Sequence, residues 1–248
     1  MDDLLRATAR AESRHFWFRG FRAFVTPLVA EALAGCAEPR ILDCGCGTGA
    51  NVELLNRYGC AFGFDLSATG LSLGRNAGRG RLTRASVTAV PFPSGFFDLV
   101  TSFDVLYSLE AHDEQRAVAE MFRLVRSGGF ALVNVAAMDI LRGDHSVLSH
   151  ERRRYSRESL RALLVSAGFT IVRLTYTNAA LFLPLAALRT VQRMRGLAIE
   201  GEAQREISVP PAGVNAALTA AVLLESVWLR YANSPFGSSL LCLARKPE

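Results

Sequence analysis

The chain has 248 residues, 50% of them hydrophobic and 21% charged, and its 28 Lys+Arg against 23 Asp+Glu give a net charge of +5. A compact body of this size buries roughly 70% of its unfolded surface, so the composition excludes a disordered or collagen-like chain, and the absence of an internal repeat argues against a solenoid. Lys246 is the only lysine, and the arginines are scattered, Arg152-Arg153-Arg154 being the densest run, so no nucleic-acid partner is expected.

Residues 1–35 read as helical, with Phe16, Trp17, Phe21, Phe24 and Val25 near helical spacing. A strand over 40–43, a glycine-rich turn over 45–49 and a helix over about 50–57 follow, then a strand over 60–65 and a further helical stretch. Residues 96–102 form a third clear strand. A helix over 113–125 is expected to stop at Ser127-Gly128-Gly129, and a strand over 130–135 comes next. Strands alternating with helices imply a mostly parallel sheet covered on both faces, an α/β doubly wound domain. Ser156 caps a helix that runs to Ala167 and is stopped by Gly168; residues 169–176 alternate like a half-exposed strand. The last strand is placed at 238–245, and helices over 179–195 and 212–230 read as an insertion before it.

Cysteines 36, 44, 46, 60 and 242 have no metal-ligand spacing and read as reduced, buried small hydrophobes; no clustered His/Cys/Asp set calls for a metal. The charged start MDDLLRATAR has no apolar signal core, and the longest apolar run, residues 179–188, is too short to span a bilayer, so a cytoplasmic location is expected.

Asp43-Cys44-Gly45-Cys46-Gly47-Thr48-Gly49 carries most of the functional information. Glycines turn the backbone sharply and let a ligand approach the main chain, and the helix that follows offers unpaired N–H groups to a carboxylate or phosphate. Asp65, closing the second strand, can accept hydrogen bonds from vicinal ribose hydroxyls. Together they describe a site for an adenosine-containing cofactor. Gly45-x-Gly47-x-x-Ala50 also meets the loose dinucleotide pattern. Three features point away from NAD: Asp43 ahead of the first glycine, the third alternate glycine Gly49, and the Val90-Pro91-Phe92 and Phe97-Asp98-Leu99-Val100 blocks.

With these motifs and Arg123-Leu124-Val125-x-x-Gly128-Gly129, residues 38–176 resemble the class I S-adenosylmethionine-dependent methyltransferases. The resemblance implies a Rossmann-like, seven-stranded, mostly parallel sheet with an antiparallel last strand. It divides one domain into an N-terminal helical cover (1–35), a cofactor core (38–176), a helical insertion (178–234) and the last strand (238–245). It also implies that Asp43, Gly45, Cys46, Gly47 and Gly49 hold the methionine portion of S-adenosylmethionine, Asp65 the ribose and Leu66 the adenine. Ser86 stands where the family usually has an acid for the adenine amino group, with Val87 giving a backbone contact and Phe103 lying beside the cofactor. A narrower likeness, to a bacterial subgroup found near glycan and secondary-metabolite genes, rests on Glu12-x-x-His15-Phe16-Trp17-Phe18, on Asp144-His145 with His150-x-x-Arg153-Arg154-Tyr155, and on Pro235-Phe236-Gly237-Ser238-Ser239-Leu240.

The implied function is methyl transfer to an oxygen or nitrogen of a small-molecule acceptor, such as a secondary metabolite or a glycan or lipid precursor. A protein that keeps the fold and binds the cofactor without transfer, as a partner or regulatory subunit, is the alternative. The acceptor site is expected beyond the carboxyl ends of the strands. His145 and His150 are the candidate general bases and Tyr155 their orienter, and Arg154 could grip an anionic acceptor. Equally, these residues could serve only the local turn. His15 and Arg19 are candidate acceptor contacts and Trp17 a cofactor contact, unless this segment docks by burial alone, and Tyr107 could face the transferred methyl. Residues 212–230 are apolar on nearly every side, which suits a core helix, a substrate cover, a homodimer surface or a peripheral membrane contact, the last aided by Arg189, Arg193 and Arg195.

Overall fold

The computed structural model describes residues 2–197 and 207–248. Two helices, α1 (Asp2–Ala11) and α2 (Phe16–Ala32), precede an alternating run: β1 (Arg40–Cys44), α3 (Ala50–Leu55), β2 (Cys60–Asp65), α4 (Ala68–Asn76), β3 (Leu82–Arg84) and β4 (Phe97–Phe103). Then come α5 (Ala111–Leu124), β5 (Val125–Ala136), α6 (Asp144–Leu148), α7 (Arg157–Ser166) and β6 (Thr170–Thr177). Finally α8 (Phe182–Arg195) and α9 (Ala212–Trp228) lead to β7 (Ser239–Arg245).

The strands form one sheet in the order β3-β2-β1-β4-β5-β7-β6, with β7 antiparallel to both its neighbours and every other pair parallel. This is the expected Rossmann-like sheet. Alternate residues serve the two faces. Leu42, Val100, Val133 and Cys242 pack under α5 and α7, whereas Ile41, Leu99, Leu132 and Leu241 pack under α2, α3 and α9. Because both faces are covered, the strands read as nearly unbroken apolar runs. Between β1 and β4 the strand order reverses, which opens a crevice at their carboxyl ends.

Two local expectations change. The helical N-terminal region is interrupted: the chain breaks at residues 12–15 and His15 caps α2 anew. The α5 helix ends at Leu124 without a glycine cap; Val125 is already extended, and Gly128 and Gly129 lie within β5, where the pairing with β4 skips between Phe97 and Leu99. Gly129 is needed there, since a Cβ would come within 2.9 Å of the Asp98 carbonyl oxygen.

The insertion packs α9 against α2. Gly20 allows the close crossing: a Cβ there would lie 2.7 Å from Val222 Cγ2. The opposite face of α9 is open, with Leu224 72% exposed, so the helix is neither wholly buried nor wholly free. Its single acid is structural. The buried Glu225 carboxylate accepts from the backbone N–H of Ala179 (2.9 Å) and Ala180 (3.0 Å), supplying the cap that the α8 approach otherwise lacks. The three arginines of α8 turn toward residues 139–144: Arg193 donates to the Ile140 and Arg142 carbonyls, Arg195 pairs with Asp144, and Arg189 is buried against Gln192. They brace the segment that follows β5 instead of presenting a free basic face. Glu225→Ala is expected to lose about 2 kcal/mol of stability, two charge-assisted hydrogen bonds being removed at a buried site; denaturant melts check this, and an unchanged midpoint would show the cap contributes nothing.

Candidate functional site

The site begins where β1 ends. Gly45, Gly47 and Gly49 have φ of +75°, +54° and +78°, a left-handed run that side chains would resist. At Gly45 the constraint is also steric, since a Cβ would sit 2.3 Å from Val105 Cγ2. The turn is pinned to β2: Gly45 and Cys46 N–H groups both donate to the Phe64 carbonyl at 2.9 Å. Asp65 finishes the pinning, with Oδ2 accepting from Gly47 N–H and Oδ1 from Ser67 N–H, each at 2.8 Å. Cys44 and Cys46 are buried, and burial pushes both thiols up, so they act as apolar lining.

Asp43 is the electrostatic centre of this turn. It is 1% exposed; Oδ1 accepts from Thr101 Oγ1 at 2.7 Å, while Oδ2, also buried, has no hydrogen-bond partner. Burial, reinforced by Asp65, pushes its carboxyl up to about 7. An orphaned, buried carboxylate oxygen among left-handed glycines fits a cationic ammonium group, whose charge would offset the desolvation.

Just past β2, Leu66 is 60% exposed, an apolar side chain open to a planar group. Ser86 Oγ is within 2.8 Å of Thr88 Oγ1 and accepts from Thr88 N–H, so this hydroxyl is held in a local turn, with Val87 half-buried beside it. Phe103 is buried at the end of β4, edge-on to Phe21 of α2 at 5.0 Å.

Helix α1 lies across the loop. Leu5 is the side chain nearest to where Gly47 would carry a Cβ, and it also approaches Gly70. Asp2 accepts from Thr69 Oγ1 (2.9 Å) and Ser67 Oγ (3.2 Å) at the start of α4. Glu12 is the anchor: it accepts from Thr48 Oγ1 at 2.6 Å and pairs with Arg79 at 2.6 Å, and both charged side chains are largely buried. Arg79 also donates to the Thr48 carbonyl. His15 is buried and caps α2, its Nδ1 accepting from Trp17 N–H at 3.1 Å while its ring stacks on Phe16; burial lowers its pKa. That is a folding role. Trp17 is half-buried, edge-on to Phe16, and Arg19 is exposed. Leu5, Glu12 and Asp2, not Trp17 or Arg19, make the contacts of this N-terminal segment with the glycine loop and α4.

The carboxyl-edge residues separate into two groups. His145 lies half-buried on α6, and His150, exposed at φ +50°, follows it. The Arg-Arg-Tyr run points inward. The Tyr155 hydroxyl donates to Glu114, which Arg153 also holds at 2.8 Å. The buried Arg154 guanidinium is spent on Glu151 (2.6 Å) and the Ala137 carbonyl. Tyr155 therefore braces α5 and does not orient a histidine, and Arg154 has no free face for an anion. Tyr107 is buried, its hydroxyl bonded to Ser149.

A residue that motif reading passes over stands between these groups. Asp104 follows β4 directly, next to Val105, at φ +61°. Its N–H donates to the Asn134 carbonyl (3.0 Å) and its Oδ1 accepts from Asn134 Nδ2 (2.9 Å). The position was readable: an acid at the carboxyl end of the strand beside the glycine loop is where an open α/β sheet places its chemistry.

Comparison with known proteins agrees with this geometry. A family model described as "Methyltransferase domain" matches residues 42–133. Over 182 residues, 68% of the chain and 70% of the relative, the sequence is 30% identical to malonyl-[acyl-carrier protein] O-methyltransferase of Enterobacter lignolyticus. The chain is a class I S-adenosylmethionine-dependent methyltransferase. Its fold matches that of a SAM-dependent methyltransferase from Archaeoglobus fulgidus, with TM-score 0.58 and 14% identity over 91% of this chain and 93% of that one. It likewise matches the [4+2]-cyclase SpnF, with TM-score 0.57 and 23% identity over 91% and 80% of the two chains.

S-adenosylmethionine is thus the cofactor of this methyltransferase. No helix among the described residues is long and apolar enough to cross a membrane. Glu12→Ala removes both the Thr48 and Arg79 contacts of α1 and is expected to raise the cofactor dissociation rate about tenfold, the equivalent of roughly 1.4 kcal/mol, in stopped-flow fluorescence. An unchanged rate would mean that the Glu12 contacts do not hold α1 over the loop.

Proposed function

We propose that this methyltransferase transfers the methyl group to an oxygen or nitrogen of a small-molecule acceptor bound at the carboxyl edge of β4 and β5. The observation that carries the reading is Asp43. In this reading its unpartnered Oδ2 takes the cofactor's ammonium, the Gly45–Gly49 turn lies along the methionine portion, Asp65 takes the ribose hydroxyls, and Leu66 covers the adenine. The bound cofactor supplies an activated methyl group on a sulfonium, so the protein's tasks are alignment, exclusion of water and management of the acceptor's proton. Helix α1 supports the exclusion of water, since it already spans the loop and meets Leu148 of α6 in one apolar cluster.

The likeness to a malonyl-carrier-protein O-methyltransferase supports methyl transfer to oxygen only in general, since the oxygen a malonyl group offers is a carboxylate's and not a hydroxyl's. The likeness to a cyclase keeps open the second reading, a cofactor-binding protein that performs no transfer on the same scaffold. Label transfer from S-adenosyl-[methyl-³H]methionine into a metabolite extract, with release of S-adenosylhomocysteine, separates them. Tight cofactor binding with no product would favour the second.

Two measurements test the cofactor assignment. The free protein holds a proton on Asp43 below about pH 7, which the ammonium must displace. Cofactor affinity is therefore expected to be flat just above about pH 7 and to fall about tenfold per pH unit below it. Asp43→Asn should weaken binding and abolish that slope in calorimetric titrations from pH 5.5 to 7.5 (a roughly two-unit window around the titrating group). Asp65→Ala is expected to weaken binding by about 1–3 kcal/mol; unchanged affinity would remove the ribose from this residue.

A further inference from the structure

Resting on the transfer reading above, we infer that Asp104 faces the acceptor atom and takes its proton, so the acceptor presents a hydroxyl or a protonated amine and not a carboxylate. Four observations converge on this residue. Asp104 occupies the first position beyond β4, and its neighbour Val105 touches the glycine turn at Gly45, so the carboxyl group stands at the end of the cofactor loop from which a methyl group would leave. Its backbone is left-handed, as is that of Met138 just past the adjacent strand β5, and non-glycine residues in that region gather at functional sites. One carboxylate oxygen is fixed by Asn134, while among the described residues nothing donates to Oδ2. The residue is exposed, unlike Asp43, so an incoming molecule can reach it.

The surroundings tune the group for proton transfer. Although solvent reaches Asp104, it stands deep among protein atoms, and that crowding pushes its carboxyl up to about 7. Glu151, on the chain ahead of α7, pushes the same way; Asn134 of β5 and Arg154 pull down; Tyr107 lies close enough to feel the charge. A base that titrates near neutrality is half-ionised where it must work. The acceptor's lone pair forms the bond to the methyl carbon while the carbon–sulfur bond breaks with its electrons to sulfur. An ammonium acceptor gives its proton to Asp104 Oδ2 first, which frees the lone pair, whereas a hydroxyl gives its proton to the same oxygen as the bond to carbon forms; in both cases the proton then leaves to solvent. A carboxylate acceptor is already ionised, has no proton to give, and would meet the charges of Asp104 and Glu151.

The test uses three probes of matched shape, phenethylamine, 4-ethylphenol and 3-phenylpropanoate, with labelled cofactor and the full chain. Methylation of the amine or the phenol is expected, with kcat rising through about pH 7. Asp104→Asn, a residue that tolerates left-handed backbone, should lower kcat about a hundredfold or more while leaving cofactor affinity within about twofold, and Asp104→Glu should recover part of the loss. Methylation of the carboxylate alone, or an Asp104→Asn variant within about threefold of wild-type kcat, overturns the inference. Should no probe be methylated, the decision falls to the ¹³C carboxyl resonance of Asp104 in the S-adenosylhomocysteine complex, assigned by its loss in Asp104→Asn. A shift on adding the amine or the phenol supports the inference. A shift with the carboxylate alone, or with no probe, overturns it. Absence of cofactor binding in calorimetry identifies failure of the transfer reading itself.

Discussion

Folding this chain places a carboxylate oxygen, Asp43 Oδ2, where nothing in the protein answers it. The elevation of its carboxyl to about 7 is, for a group this buried, on the order of 4 kcal/mol against the charged form. The surrounding structure holds it there all the same. Thr101 fixes one oxygen, β1 lies between β2 and β4, and the left-handed glycine turn closes above with its amides given to Phe64 and Asp65. A buried carboxylate oxygen without a partner persists only when neighbouring elements over-determine its place. The two-faced packing of β1, with Ile41 in one core layer and Leu42 in the other, is what does so.

The elements outside the sheet are arranged around that point. On one side, α1 reaches the loop through Leu5 and the buried Glu12–Arg79 pair. On the other, the Arg153-Arg154-Tyr155 run fastens the chain after β5 to α5 and to residues 137 and 151. Helix α8 braces the same segment through Arg195 and Asp144. Between these two sets of buried contacts lies the carboxyl edge of β4 and β5, where Asp104 is open to solvent. Buried ion pairs contribute little net stability, but breaking one is costly, so they define a geometry more than they strengthen it.

Much of the architecture was legible in the residues alone. Six of the seven strands, the glycine turn and the Ser156 cap follow from local turn chemistry and apolar runs, which need no knowledge of distant neighbours; the three-residue β3 (Leu82–Arg84) is too short to show such a run and forms by pairing with β2. The errors were also local in origin. Gly128-Gly129 looks like a helix stop, yet β4 passes so near that Gly129 is required within a strand. His15 looks like a ligand-reaching imidazole, yet it caps a helix, because the break at residues 12–15 creates an N-terminus that the pattern of aromatics does not reveal.

The candidate site residues divide along the same line. Asp43, Gly45, Gly47, Gly49 and Asp65 stand within 23 consecutive positions on one strand–turn–helix–strand unit, so their joint geometry is fixed by the chain itself. Asp104 with Asn134, Glu12 with Arg79, and Arg154 with Glu151 depend on which elements the sheet order brings side by side. A histidine or arginine motif signals that polar chemistry is present but not which way it points. Direction came only with tertiary packing, which turned Arg154 and Tyr155 into the fold and left Asp104 facing out, because burial demands partners for charge and the surface does not.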